Sequence, residues 1–468
     1  MRRFNDLDYI YKPAPEPLLA VVHCDMRLAA SEDRVVRGRA WGNYLKGLSP
    51  RWHLCQAQRH SHDKRGLEGR MFTATANILL PTAVTGSWPR PAWFADNLAG
   101  RSLSEAMAAT LFREQFLDAT AVVVNDQQRA GLDILTNGDY HLDADYGGQS
   151  WSLYPIERLN GVSQHRVNQT SPEWTGTMGG TWQDAVPAGG LLRDMFGAWR
   201  FPRVEHKIEP GVPLEFAKIW RTAQARAMRP VKFGTIAPDA AGAALSAGSA
   251  YDDNRRAMLW DIATVLNAEL RDLVAAGCRV VQIEEPNIHV LGKKPDPALV
   301  DFHVDLYHHT VEGLDDAEIW VHTCWGNPGG QIAAHGDYGG GIAAYLERVK
   351  ADVWTIESKH NNHRDLPLFA PYRGKLTKKI ALGVINHRTV QVESPDEVAA
   401  DIRQALEYID VEHLVLSSDC GFGRGGVSRD IALYKAAALA QGANIVRREL
   451  GLPETPVPLA ELGLLPDG

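Results

Sequence analysis

Ile319-Trp320-Val321-His322-Thr323-Cys324 is a short, largely apolar run that ends on an imidazole and a thiol. Two later runs are built the same way. Val353-Trp354-Thr355-Ile356-Glu357 closes on a carboxylate, and Leu414-Val415-Leu416-Ser417-Ser418-Asp419-Cys420 closes on a second thiol. Short runs of this composition, bounded by turn signals, read as strands buried on both faces. In a (β/α)8 barrel the C-terminal ends of such strands converge on one face, where the site is built. Five more candidate strands, Asn77–Val84, Leu132–Thr136, Val231–Ile236, Arg279–Glu284 and Lys379–Ile385, bring the number to eight. Helical stretches lie between most of them. The clearest, Asn254 to Ala276, carries Met258, Leu259, Ile262, Leu266, Leu270, Leu273 and Val274 on one face and stops at Gly277. Another begins at Ser394-Pro395, with serine as cap and proline in the first turn. Strand then helix, repeated, predicts an α/β fold of the TIM-barrel class.

The expected division is an Arg- and His-rich N-terminal extension over residues 1–75, a barrel over 76–450 and a C-terminal tail over 451–468. A long excursion over 139–210 follows the second strand and contains Trp151, Trp174, Trp182 and Trp199. Its length predicts a lid or a subunit contact, so a homo-oligomer is left open. His53, Cys55, His60 and His62 fall in the extension, end no barrel strand, and read as structural or surface residues.

Composition narrows the function. A net charge of −8 over 468 residues argues against a nucleic-acid surface. No apolar stretch has the length of a membrane span, and the amino terminus lacks the apolar core of a signal peptide. Five cysteines in a chain this long make no disulfide framework, so the expected compartment is a reducing cytoplasm.

His322, Cys324, Glu357 and Cys420 together make a plausible tetrahedral Zn²⁺ shell. Two thiolates, one carboxylate and a neutral imidazole would leave it with a net charge of −1. Such a centre activates water poorly but suits a substrate thiol, kept as a thiolate able to attack carbon. The expected partners are a small-molecule thiol and an alkyl donor.

Around these residues the chain shows Thr85-Gly86-Ser87, Asn137-Gly138-Asp139, Gln282-Ile283-Glu284-Glu285-Pro286, His322-Thr323-Cys324-Trp325-Gly326-Asn327, Ile356-Glu357-Ser358 and Ser418-Asp419-Cys420-Gly421. In this order the motifs resemble the catalytic barrel of the cobalamin-independent methionine synthases, over roughly residues 77 to 445. The resemblance implies zinc, with His322, Cys324, Glu357 and Cys420 as its ligands. It implies that Ser87 holds the carboxylate of a homocysteine-like acceptor and that Asp139 and Glu284 hold its ammonium group. The family has the longer acid first and the shorter second, whereas here Asp139 precedes Glu284. The family's histidine acid falls at Arg388, so the candidate catalytic residues are its neighbour His387, as acid, and Glu284. The family's folate-stacking tryptophan has no counterpart in Gly234-Thr235-Ile236-Ala237-Pro238. The expected activity is therefore zinc-dependent methyl or alkyl transfer to a thiol, from a donor other than methyltetrahydrofolate. The alternatives are an epoxide-to-thiol transferase or carbon–sulfur lyase, with His360, His363 or His387 as acid, and a barrel whose zinc is purely structural.

Overall fold

A seven-stranded, all-parallel sheet forms the centre of the structure, which is a computed structural model. It describes residues 74–142, 150–168, 200–211, 213–245, 248–252, 254–327, 336–424, 426–461 and 463. The extension's His53, Cys55, His60 and His62, and Trp174, Trp182 and Trp199 of the excursion, lie outside the described residues.

The strands are β1 (Leu135–Thr136), β4 (Val231–Ile236), β5 (Val280–Glu284), β6 (Glu318–Thr323), β7 (Val353–Ile356), β8 (Lys379–Ile385) and β9 (Leu414–Ser418), hydrogen-bonded in that order. A separate antiparallel pair, β2 (Val162–Asn168) with β3 (Arg200–Val204), belongs to the excursion after β1. The parallel sheet curls. Its two edges are joined by the short segment Pro81–Ala83. Ala83 N donates to Leu416 O at 2.9 Å and Leu416 N to Pro81 O at 2.8 Å, while Asp133 N and Ile134 N both donate to Thr82 O at 3.0 Å.

The first predicted strand is thus present as a single bridge, Thr82 to Leu416. Pro81 has no N–H to give a ladder, and Leu80 turns the chain with a left-handed φ of 53°. Elsewhere the strands lie where the sequence puts them, with ends shifted by a residue or a few. Cys324, Glu357 and Asp419 each stand just past a strand end rather than within it.

The inner and outer faces of the curled sheet alternate along each strand. Ala83, Ile134, Val280, Trp320, Val353, Ala381 and Val415, with Ala74, form an inner apolar cluster of their own. The helix Arg255–Ala275 buries the expected face, and Asn254 caps it by accepting from Ala257 N at 3.2 Å. Ser394 and Glu397 form a reciprocal capping box at the helix Pro395–Leu406. None of the helices among the described residues is long and apolar enough to cross a membrane.

Arg447, on the helix Arg429–Glu449, ties the joined edges together from beneath. Its Nη2 donates to Asp133 Oδ2 at 2.6 Å and to Leu80 O at 3.1 Å. Asp133 also accepts from Thr82 N and Oγ1 at 2.9 Å and from Thr455 Oγ1 at 2.7 Å. Both ionic side chains are buried. Replacing Arg447 with leucine leaves a buried carboxylate without its cation, so we expect a loss of about 3–5 kcal/mol in urea unfolding. An unchanged midpoint would show that this pair does not hold the seam.

Candidate metal centre and acceptor site

His322, from the end of β6, and Cys324, just past it, meet Cys420, which follows β9 across the mouth of the sheet. One ligand atom from each lies within 4.8 Å of the others, and all three side chains are buried. The two Sγ atoms are 4.0 Å apart. A disulfide needs about 2.05 Å, whereas two thiolates on one tetrahedral zinc stand about 3.8 Å apart. The spacing fits a shared metal. Neither ring nitrogen of His322 has a hydrogen-bond partner among the described residues, so one of the two is available to a metal. The contact between the sulfurs raises the Cys324 thiol well above its ordinary range and pulls Cys420 well below it.

The neighbouring strands fix these residues. Thr85 Oγ1 donates to Ser418 O at 2.9 Å, and Thr85 N donates to Ser418 Oγ at 3.1 Å. His289 Nε2 faces Cys324 O at 2.8 Å, which places the ring proton on that nitrogen. Glu285 reaches the same place: its Oε1 is 3.5 Å from His322 Nε2, and its Oε2 accepts from Cys324 N at 3.4 Å. Asp419 accepts from Ser358 N, Lys359 N and His360 N at 2.7–2.8 Å, so it anchors the loop that carries Glu357.

Glu357, the fourth expected ligand, is buried beside this group but turned to Arg388. Its Oε1 accepts from Arg388 Nη2 at 2.6 Å and Nε at 2.8 Å, and its Oε2 accepts from Trp325 N at 2.7 Å. Burial pushes its carboxyl up to about 7, against the pull of the Arg388 guanidinium. His387 is fully buried, and neither of its ring nitrogens has a hydrogen-bond partner among the described residues. Burial pushes that ring down to about 3, so it is a neutral imidazole at neutral pH. Of the other two histidines, His360 Nδ1 is 3.1 Å from Glu357 Oε1. His363 faces away, toward Ser358 Oγ at 2.9 Å and Asp401 Oδ1 at 3.2 Å.

Ser87, Asp139 and Glu284 come together next to the cysteines. A side chain at Gly421 would strike Ser87 Oγ at 2.2 Å, so the serine lies directly against the Cys420 loop. A side chain at Gly86 would meet Asp139 Oδ2 at 2.9 Å and Glu284 Oε1 at 3.2 Å, so both carboxylates face that glycine. Asp139 has a left-handed φ of 53°, and its carbonyl accepts from Arg90 Nη2 at 2.9 Å. Burial, and then the nearby Asp139, raise the Glu284 carboxyl well above its usual range. Beneath them, Lys232 Nζ binds Gln282 Oε1, and Gln282 Nε2 donates to Glu284 Oε1 at 2.8 Å. Burial lowers Lys232 to about 7 even though Glu284 and Asp139 favour its charge.

Glu285, His289, Gln282 and Lys232 are residues of the site to which the sequence alone assigns no role. Only Gln282 left a signal, since it stands two residues before Glu284 and so shares its face of the strand.

Residues 222–440 match the family described as the cobalamin-independent synthase, catalytic domain. Over this stretch the chain is similar to that catalytic domain. The matched stretch holds Glu284, His322, Cys324, Glu357, His387 and Cys420, while Ser87 and Asp139 precede it. The methionine synthase of Saccharolobus solfataricus is 28% identical over 376 residues, which cover 80% of this chain and 96% of the relative. The methionine synthase of Sulfolobus acidocaldarius is also 28% identical, over 80% of this chain and 94% of its own length. Among solved structures, a B12-independent methionine synthase from Shewanella, in complex with selenomethionine, superposes with a TM-score of 0.63 at 25% identity. It covers 80% of this chain and 99% of that one. A putative B12-independent methionine synthase from Listeria monocytogenes, at TM-score 0.52 and 17% identity, shares the fold.

Proposed function

We propose that this protein transfers a methyl or other alkyl group to the sulfur of a homocysteine-like thiol, at a zinc site that includes His322, Cys324 and Cys420. The observation that carries this reading is the buried pair of thiols 4.0 Å apart with His322 beside them and an acidic pair close by. The Shewanella relative's complex with selenomethionine, an amino acid of the product's class, supports an amino-acid acceptor here. The frame of the reading is a (β/α)8 barrel in which Pro81–Ala83 occupies the eighth strand position.

Bound zinc would supply one thing, the deprotonation of a thiol that joins it. The chain's own residues do the rest. Ser87 offers a hydroxyl donor to the acceptor's carboxylate beside the Cys420 loop. Asp139 and Glu284 offer two carboxyl groups to its ammonium group, and the incoming cation favours their ionised forms. Holding the acceptor at both ends fixes its sulfur for in-line attack on the donor carbon.

The residues after β8 and β4 constrain the donor. A methyl group on a tertiary amine leaves only if a placed acid protonates the nitrogen. Arg388 keeps its proton near neutral pH and is occupied with Glu357, and Ala237 and Pro238 after β4 offer no aromatic platform. An activated donor, such as a sulfonium, a methyl-corrinoid or an epoxide, fits these residues better. With zinc-loaded protein and homocysteine, methyltetrahydrofolate should give little methionine, whereas an activated donor should consume the thiol. Multiple-turnover methionine formation from methyltetrahydrofolate would overturn the donor reading. Failure of every donor to consume thiol would favour a purely structural zinc.

A further inference from the structure

We propose that Gln282 is a positioning residue of the acceptor site: its side-chain amide ties Glu284 to the Thr85-Gly86-Ser87 segment and so fixes the two ends of the acceptor's seat against each other. The inference deepens the reading above and rests on Ser87, Asp139 and Glu284 holding the acceptor. Gln282 lies within β5 and is fully buried. Its Nε2 donates to Thr85 O and to Glu284 Oε1, both at 2.8 Å, and its Oε1 accepts from Lys232 Nζ. An amine on one side and two oxygens on the other decide which way the amide points. Turned over, its carbonyl would face a carboxylate and a backbone carbonyl, and its N–H groups would face the lysine.

These contacts join parts that the chain holds far apart. Thr85 and Gln282 are separated by 197 positions. Thr85 stands two residues before Ser87, which faces the acceptor's carboxylate in the proposed site. Glu284, two residues after Gln282 on the same face of β5, faces its ammonium group. One buried amide thus binds the segment at one end of the acceptor to the side chain at the other.

Two glycines bear on the same atom. A side chain at Gly234 would meet Glu284 Oε1 at 2.6 Å, and one at Gly86 would meet it at 3.2 Å. Glu284 Oε1 is therefore packed between two glycines and held by Gln282, which leaves Oε2 as the oxygen to offer the acceptor. Burial, and then Asp139, push the Glu284 carboxyl up, and the Gln282 bond works against them in favour of the anion. Behind the amide, Lys232 Nζ lies over the Trp320 ring, 4.3 Å from its centroid. Both polar atoms of the buried Gln282 amide are thereby met, so the side chain is held in one orientation.

The test is calorimetric binding of L-homocysteine and of 4-sulfanylbutanoate to the zinc-loaded protein. The second ligand has the same thiol and carboxylate but no ammonium group. The wild type should bind homocysteine at least about tenfold more tightly. Gln282→Met keeps the volume and loses the amide, while the Thr85 segment keeps its bonds to Ser418, so the loss falls on Glu284. That variant should bring the two affinities to within about threefold of each other, with zinc content and 4-sulfanylbutanoate binding unchanged. Gln282→Asn, one methylene too short to span both oxygens, should act in the same direction and carries the test if the methionine variant does not fold. Variants that weaken both ligands by the same factor, or that keep the wild-type preference, would overturn this inference and leave the acceptor reading standing. A wild type that binds the two ligands equally, or binds neither, would overturn the acceptor reading itself.

Discussion

Changing Cys324 or Cys420 to serine should empty the metal site. Each thiol is buried, and the two sulfurs already stand at the spacing of two ligands on one ion. Serine keeps the shape, but its hydroxyl does not ionise at neutral pH and so brings no negative ligand to the zinc. Altering an outer-shell partner typically costs about 10–100-fold in metal affinity, so losing a direct thiolate should cost at least about 100-fold. Cys278 supplies the internal control. It is buried just before β5, donates to Val280 O at 3.3 Å, and is raised to about 12 by burial, so its exchange for serine should leave zinc content unchanged. Elemental analysis of the three variants checks this. Full zinc retention by both Cys324→Ser and Cys420→Ser would remove the basis for the site.

The second large effect is expected at the acidic pair. Asp139→Asn and Glu284→Gln should each raise the KM for the thiol acceptor while zinc content stays at the wild-type level. Hydrogen bonds to charged groups contribute about 1.5–3 kcal/mol, which corresponds to roughly 10- to 100-fold in KM. The Asp139 change is a clean one. The residue sits at a left-handed φ of 53°, a conformation asparagine tolerates, so the backbone is not strained by the swap. Steady-state kinetics with the acceptor varied would test it. Unchanged KM in both variants would show that the two carboxylates do not hold the acceptor's ammonium group.

Much of this site was legible because strand ends carry it. The runs closing on Cys324, Glu357 and Cys420 look alike in sequence, and the parallel sheet brings them to one end. Ser87, Asp139 and Glu284 were legible from motif order, and the close contacts at Gly86 and Gly421 gather them there. What the sequence did not show is which partner each side chain chooses. Arg388 and Glu357 are 31 positions apart, on the loops after adjacent strands, and nothing local signals their pairing. Asp419 precedes a candidate ligand and reads as part of a metal motif, yet its oxygens serve three backbone amides of another loop. The edge at Thr82 was read as a full strand because its residues are apolar, but Pro81 and the turn at Leu80 leave a single bridge. Buried polar residues such as Lys232 and His289 carry no pattern by which sequence could assign their contacts.

A substrate thiol should join the metal at this site. Zinc-edge X-ray absorption with and without saturating homocysteine tests it most directly. Sulfur in the zinc shell should rise from two to three on adding homocysteine and stay at two with homoserine, which has the same ends but no thiol. A shell that keeps two sulfurs while homocysteine is bound would contradict it.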